Sequence, residues 1–296
     1  MAEPPPPLPI GGFHGDARAA QEPADVAVVM PTILRPQLRR ALEAVYAQTF
    51  EGRVQLAIGV DVADGDPALL TGLLDERPEN FSALVVTLPF STSQRHGGVH
   101  SPMDGGALRA ILSLAANARR IAYLDDDNEW LPRHLELLMR AVEGRAWAFS
   151  HRMLVDEVTD ADLAVDIWDS VGVGKGRFAS TGGMVDPNCL LVDKVLLAHR
   201  LGAWAQTPRM EKNVAADRIF FRSIAAADHG EVKEATVRYR IRRINVIHEY
   251  LKEGSNSSEA MAAAGRRAAV RLNQSALIEA RQKAEANAGE QRDDGP

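Results

Sequence analysis

Apolar residues in this chain follow two alternating patterns. Nearly continuous apolar runs at 26–30, 54–60, 83–88 and 121–124 are separated by segments where apolar side chains recur every three or four positions. A continuous run suits a strand buried on both faces, and the wider spacing suits a helix with one inward stripe. The run Val26-Ala27-Val28-Val29-Met30 stops at Pro31-Thr32, and a helix starting near Pro36 carries Leu38, Ala41, Leu42 and Val45. The second run ends at Asp61, after which Asp64-Gly65-Asp66-Pro67 reads as a turn opening a helix with Leu69, Leu70, Leu73 and Leu74. Residues 83–88 supply a third strand. This alternation predicts an α/β fold, a mostly parallel sheet with right-handed crossovers flanked by helices.

From Pro89 to Gly106 runs a polar loop studded with glycine, long enough to suggest function. A helix follows, with Asp104 as its expected N-cap and Leu108, Ile111, Leu112 and Ala115 on one face. Residues 121–124 form the next strand, and Asp125-Asp126-Asp127-Asn128 follows it at once. A helix over 132–142 (Leu135, Leu138, Met139, Val142) stops at Gly144, and 147–150 read as a strand. Beyond His151 the pattern is irregular over 156–188, followed by apolar residues 190–192, a helix ending near Gly202, a helix over 213–227 and a strand over 235–241. Residues 244–251 fit a short strand or a helix equally well. The Ala- and Arg-rich segment 257–291 reads as a long exposed helix with a frayed end. Residues 1–24, rich in Pro and Gly, read as a mobile, partly polyproline arm. The expected organisation is therefore an arm (1–24), one domain (25–252, with halves 25–151 and 152–252) and a C-terminal helical extension (253–296).

With 296 residues, the chain can build one large α/β core, and 46% hydrophobic with 25% charged residues is an ordinary globular composition. A net charge of −6 argues against a general nucleic-acid binder. The single cysteine, Cys189, excludes an intrachain disulfide and reads as a buried filler. The N-terminus lacks a basic and apolar leader, and no apolar run approaches a membrane span, so the expected location is cytoplasmic.

The acidic triplet carries the strongest chemical signal. Adjacent carboxylates repel one another and favour a bound cation, and oxygen ligands suit Mg²⁺ or Mn²⁺. In extended backbone Asp125 and Asp127 face one side and Asp126 the other. Asp-Asp-Asp-Asn also suits a solvated turn capping the next helix, and the triplet alone leaves both readings open.

Four stretches together resemble the family 2 glycosyltransferases of the GT-A fold. Residues 26–32 resemble their first strand running into Pro-Thr, and Leu56-Ala57-Ile58-Gly59-Val60-Asp61 their second strand with its terminal Asp. Tyr123-Leu124-Asp125-Asp126-Asp127 is similar to their Asp-x-Asp region, and Ala215-Ala216-Asp217-Arg218 to their catalytic-acid stretch. The resemblance covers roughly 25–242 and implies an enzyme that moves a sugar from a nucleoside diphosphate donor to a hydroxyl acceptor with Mg²⁺ or Mn²⁺ and with inversion. The acceptor would be a saccharide, a lipid-linked molecule or a small molecule. The same resemblance implies that Pro31, Thr32 and Asp61 hold base and ribose, that Gly105, Gly106 and Arg109 line the nucleotide, and that Asp125 and Asp126 contact the nucleotide sugar. Asp127 would bind the metal, His248 would add a ligand, and Asp217 would be the general base. Where the family often has two acids, this chain has Ala216 before Asp217, so Glu211 and Asp186 stand as substitutes.

Read without the family, Asp61 caps a turn, Arg109 lies on a helix surface, Asp217 stabilises a helix N-terminus and His248 packs beside Ile247. Arg95 is a second nucleotide candidate. Gly172-Val173-Gly174-Lys175-Gly176 lacks the context of a dinucleotide fingerprint and reads as a flexible loop able to close over substrate. His96 and His100 read as solvated, and Trp130, Trp168 and Trp204 as core. Three other functions stay open: a retaining transferase, a nucleotidyltransferase and a non-catalytic sugar-nucleotide binder or scaffold. The nucleotidyltransferase is disfavoured because Pro31-Thr32-Ile33-Leu34-Arg35 is not a glycine- and lysine-rich phosphate loop. A homodimer through the C-terminal helix is compatible with the sequence.

Overall fold

The chain enters the structure, a computed structural model, with a short strand β1 (Gly12–His14) and a helix α1 (Ala17–Gln21) capped by the Asp16 carboxylate, which accepts the Ala19 N–H at 2.7 Å. These elements correct the expectation of a mobile arm through residue 24. The apolar content of 12–24 is too slight to show in the sequence pattern, and it is sheet pairing that orders this segment. The described residues are 12–61, 65–100, 105–206 and 215–242, with 245, 247, 248 and 251; the 253–296 extension, Asp104, Glu211 and the side chain of Arg95 lie outside them.

The predicted α/β alternation then follows. Strand β2 (Ala24–Thr32) leads to α2 (Leu38–Tyr46), β3 (Val54–Val60), α3 (Pro67–Asp75) and β4 (Phe81–Thr87). Helix α3 opens as Asp66 and Pro67 predict, with the Asp66 carboxylate accepting the Ala68 N–H at 2.9 Å. Helix α4 (Gly106–Ala115) then reaches β5 (Ala118–Tyr123). Its cap residue is Gly105, at φ 73, and Leu108 and Leu112 are buried while Ile111 turns outward.

Further along come β6 (Glu129–Trp130), α5 (His134–Ala141), β7 (Trp147–Asp156), β8 (Asp162–Val165), β9 (Gly172–Val173) and β10 (Gly183–Met184). Strand β11 (Leu190–Asp193), a 3₁₀ helix (Ala198–Ala205), α6 (Ala216–Ile224) and β12 (His229–Ile241) follow. The irregular region thus contains short strands, and Gly172-Val173 pairs antiparallel with Gly183-Met184 rather than forming a loop.

Strand order is β1-β4-β3-β2-β5-β11-β7-β12-β6, with β8 alongside β7. β4, β3, β2 and β5 run parallel, in the register Val26↔Val54 to Thr32↔Val60 for β2 and β3. Antiparallel β11 extends the sheet beyond β5. Residues 26–30 are fully buried, as helix-covered parallel strands require, and each of the Val and Met side chains contributes about 1.5–3 kcal/mol on leaving water. The order of the parallel strands reverses between β2 and β5, and the crevice beyond the carboxyl ends of strands at such a reversal is where open α/β sheets bind ligands.

Two units divide the chain, Met1–Val155 with Asp162–Arg240, and Asp156–Ala161 with Ile241–Pro296. The parallel strands belong to the first, and His248 belongs to the second. Among the described residues no helix is long and apolar enough to cross a membrane.

Candidate active site

The two strands flanking the reversal end in the residues singled out from sequence, and a left-handed residue follows the first of them. After Thr32 the buried residue Leu34 adopts φ 62, a conformation that costs a non-glycine residue about 1–3 kcal/mol. Its N–H donates to Thr32 Oγ1 at 2.9 Å, and that hydroxyl donates to Asp126 Oδ2 at 2.7 Å. The turn sends Arg35 back over the triplet, where its guanidinium pairs with Asp126 and lies 3.4 Å from Asp127 Oδ2. Burial disfavours the Arg35 charge, but hydrogen bonding to Asp126 and the field of all three aspartates outweigh it and raise the pKa.

The triplet itself is a turn rather than extended chain, closed by the Asn128 N–H donating to the Asp125 carbonyl at 3.3 Å. The expected alternation of faces therefore does not hold, since one guanidinium reaches both Asp126 and Asp127. Asp125 faces other partners. The buried Arg109 pairs with it, and Asn188 Nδ2 donates to its Oδ2 at 3.0 Å while Asn188 Oδ1 accepts the Asp125 N–H at 2.7 Å. Arg109 also lies 5.3 Å from the Trp204 ring centroid, so it is not the surface residue that the pattern alone allowed.

Asn188 is in turn held by a second buried network. Its Nδ2 donates to Asp186 Oδ1 at 2.6 Å, and Asp186 pairs with Arg152. Arg152, 1% exposed, also pairs with Asp166 at 2.8 Å and Asp169 at 2.9 Å and stacks 3.9 Å from the Tyr239 ring centroid. Burial and the nearby Asp125 raise the Asp186 pKa against the opposing pull of Arg152. The Asp186 carboxyl is held by Arg152 and Asn188 and its backbone N–H donates to Ser170 Oγ at 2.8 Å, so Asp186 is built into the buried network. Sequence reasoning missed Arg35, Arg152 and Asn188; the one available signal was a charged residue among the inward positions of strand β7.

At the N-terminus of α4, Gly105 takes the left-handed conformation against Pro31, where an added Cβ would lie 3.0 Å from the proline Cβ. Gly106 touches the start of α6: an added Cβ would lie 2.6 Å from Ala216 Cβ and 2.4 Å from the Trp204 carbonyl oxygen. The residue after Ala216 is Asp217, half-buried in the first turn of α6, with its Oδ1 accepting the Arg218 N–H at 2.6 Å. Close contact between glycine and alanine therefore brings the candidate base beside a helix N-terminus suited to anions.

Asp61 sits at the end of β3 with its oxygens directed at the following loop. It accepts from Ser91 Oγ at 3.0 Å and from the Thr92 N–H at 2.8 Å. That loop is closed by a bridge between Ser93 and His100, and His100 Nδ1 lies 3.3 Å from the Ala205 carbonyl. Trp130, Trp168, Trp204 and Cys189 are buried, as expected of core residues.

The donor set suits a hard cation only in part. Asp126 is buried and held by Thr32 and Arg35, whereas Asp125 and Asp127, although paired with Arg109, Asn188, Asn128 and Arg35, are 28% and 30% exposed. Among the described residues no group of three or more His, Cys, Asp or Glu forms a complete metal cage. Two carboxylates completed by phosphate and water match the way Mg²⁺ is usually held.

No family profile matches the chain, and no curated protein does. Among solved structures, S. aureus TarS 1-349 is similar with a TM-score of 0.53 at 12% identity, over 77% of this chain and 63% of that one. The same protein in complex with UDP gives 0.54 at 10% identity over 81% and 65%, and in complex with UDP-GlcNAc 0.53 at 14% identity over 83% and 66%. This chain therefore spans under two thirds of those structures, and the likeness is one of fold: a mixed α/β protein with a mostly parallel central sheet flanked by helices.

Proposed function

We propose that this chain is a glycosyltransferase that moves a sugar from a nucleoside diphosphate to a hydroxyl acceptor with inversion. The observation that carries the reading is the meeting of three features at one crevice: the acidic triplet, the N-terminus of α4, and the first turn of α6 with Asp217. In this reading the diphosphate lies between the α4 N-terminus and Arg109, and Asp125 orients ribose and sugar, whereas Asp126, buried against Thr32 and Arg35, holds Arg35 in place instead of touching the donor as expected from sequence. Pro31 and Thr32 border the base, and Asp61 holds the following loop through Ser91 and Thr92. Arg35, already above Asp126 and Asp127, supplies a further cation on the phosphate side. Asp125 and Asp127 would hold Mg²⁺ or Mn²⁺, which supplies Lewis-acid neutralisation of the leaving diphosphate.

Asp217 takes the proton from the acceptor hydroxyl as its oxygen attacks the anomeric carbon, and the bond to the nucleotide phosphate breaks on the opposite face.

The test begins with nucleotide binding. Thermal shifts are measured with UDP-, GDP-, dTDP- and CDP-sugars, with and without Mn²⁺, because a ligand of the folded state raises stability by mass action. Uridine nucleotides come first, given the complexes of the similar fold. A shift that disappears in Asp127→Ala, with transfer lost in Asp217→Asn while the shift persists, is the expected result. The absence of a shift with any nucleotide would overturn the reading.

A further inference from the structure

Next to Asp217 the fold gathers guanidinium groups around one aromatic ring. Phe178, in a 3₁₀ helix (Gly176–Thr181), has the Arg177 guanidinium carbon 4.4 Å and that of Arg218 3.9 Å from its ring centroid. Burial and the charges of Arg222 and Arg177 lower the Arg218 pKa, outweighing the opposing pull of Asp217 and Asp169. Arg177 pairs with Asp169 at 2.6 Å, but that carboxylate is shared with Arg152 at 2.9 Å. Arg218 thus sits in a partly dry setting near two other guanidiniums, and the half-buried ring of Phe178 carries both Arg177 and Arg218 at cation–π distance.

Cations brought this close in a partly dry setting repel one another, and a bound oxyanion relieves the repulsion. The planar fork of Arg matches the oxygens of phosphate and carboxylate. The donor's phosphates have their own cations in Arg35 and Arg109, whereas Arg218 follows the candidate base directly in the chain.

We propose that Arg177 and Arg218, held over Phe178, form an acceptor subsite for an oxyanion, so that the acceptor carries a phosphate or carboxylate near its attacking hydroxyl. The proposal rests on the transferase reading for the word acceptor, but the oxyanion site can be measured separately.

UDP affinity is determined first, and the protein is then saturated with UDP. Glucose 6-phosphate, glucuronate and glucose are titrated by NMR into the wild type, Arg218→Gln and Arg218→Lys, each shown by thermal melting to be folded. The expected result is that at least one anionic probe binds about tenfold or more tighter than glucose, a margin of about 1.4 kcal/mol. Arg218→Gln should abolish that margin, Arg218→Lys should keep part of it, and UDP affinity should not change. Glucose 6-phosphate and glucuronate distinguish phosphate from carboxylate. On the wild type alone, inorganic phosphate or acetate should displace the matching probe while UDP remains bound. Equal binding of anionic and neutral probes, or a preference that survives Arg218→Gln, would overturn the subsite. Failure of UDP, GDP, dTDP and CDP alike to bind would count against the transferase reading alone, and the probes are then titrated into the free protein.

Discussion

Asn188→Asp exchanges one amide for a carboxyl of the same shape at the junction of two networks. In the wild type Asn188 Nδ2 donates to Asp125 Oδ2 at 3.0 Å and to Asp186 Oδ1 at 2.6 Å, and the residue is fully buried. The substitution turns that donor into an acceptor facing two carboxylates. At an effective dielectric of about 20, two unit charges ~3 Å apart repel by roughly 5 kcal/mol, so the new carboxyl takes up a proton rather than ionise. Its folded-state pKa then rises by about 3 units, which costs on the order of 4 kcal/mol at pH 7. The unfolded chain ionises at its ordinary carboxylate pKa and the folded chain does not. The destabilisation is therefore small below about pH 4 and grows by about 1.4 kcal/mol per unit as pH rises. Urea denaturation at pH 5, 6 and 7 measures the difference from wild type. Asn188→Ala is the control: it removes the same amide donor and the acceptor of the Asp125 N–H without adding a carboxyl, at a cost of about 1–3 kcal/mol that rises less with pH. A difference below about 0.5 kcal/mol at pH 7, or a cost for Asn188→Asp that rises no more with pH than that of Asn188→Ala, would refute the reasoning.

Four other outcomes can be checked. His134 is fully buried beside Thr236, with its pKa pushed down to about 3 by burial. The folded state resists a proton that the unfolded state accepts, so stability falls by about 1.4 kcal/mol per unit as pH drops below ~6.5. His134→Gln should flatten that part of the pH–stability curve. Gly106→Ala forces a Cβ to within 2.4 Å of the Trp204 carbonyl and should cost about 1–3 kcal/mol in melting experiments. Gly72→Ala, in open space within α3, should stabilise by about 0.5–1 kcal/mol. Asp217→Asn should remove transfer while leaving nucleotide-induced stabilisation intact, and unchanged turnover in that variant would exclude Asp217 as the base.

The parallel strands were legible because burial on both faces leaves a continuous apolar run, and Val54–Val60 matches its predicted bounds. Both Asp66 and Pro67 act within one turn, so the start of α3 was legible too. Arg35 was not, because its partners Asp126 and Asp127 lie 91 and 92 residues away and no local pattern records such a pairing. Arg152 broke the apolar run of β7, a cue to a buried ion network, but the identity of its partners depends on the fold. Of the predicted site residues, Asp125, Asp126, Asp127, Arg109, Gly105, Gly106 and Asp217 border one region. The Asp61 oxygens are instead directed at Ser91 and Thr92, and His248 belongs to the second unit.

Strand β1 pairs with the outer side of β4 through Gly12↔Val85, Phe13↔Leu84 and His14↔Ala83. A protein trimmed at residue 25, on the view that its proline-rich start is dispensable, would bare the seven-residue strand Phe81–Thr87. Such an edge, with Phe81, Ala83 and Val85 in alternation, templates intermolecular sheet growth. Trimming would therefore first appear as self-association and lost solubility, even with every residue of the crevice intact.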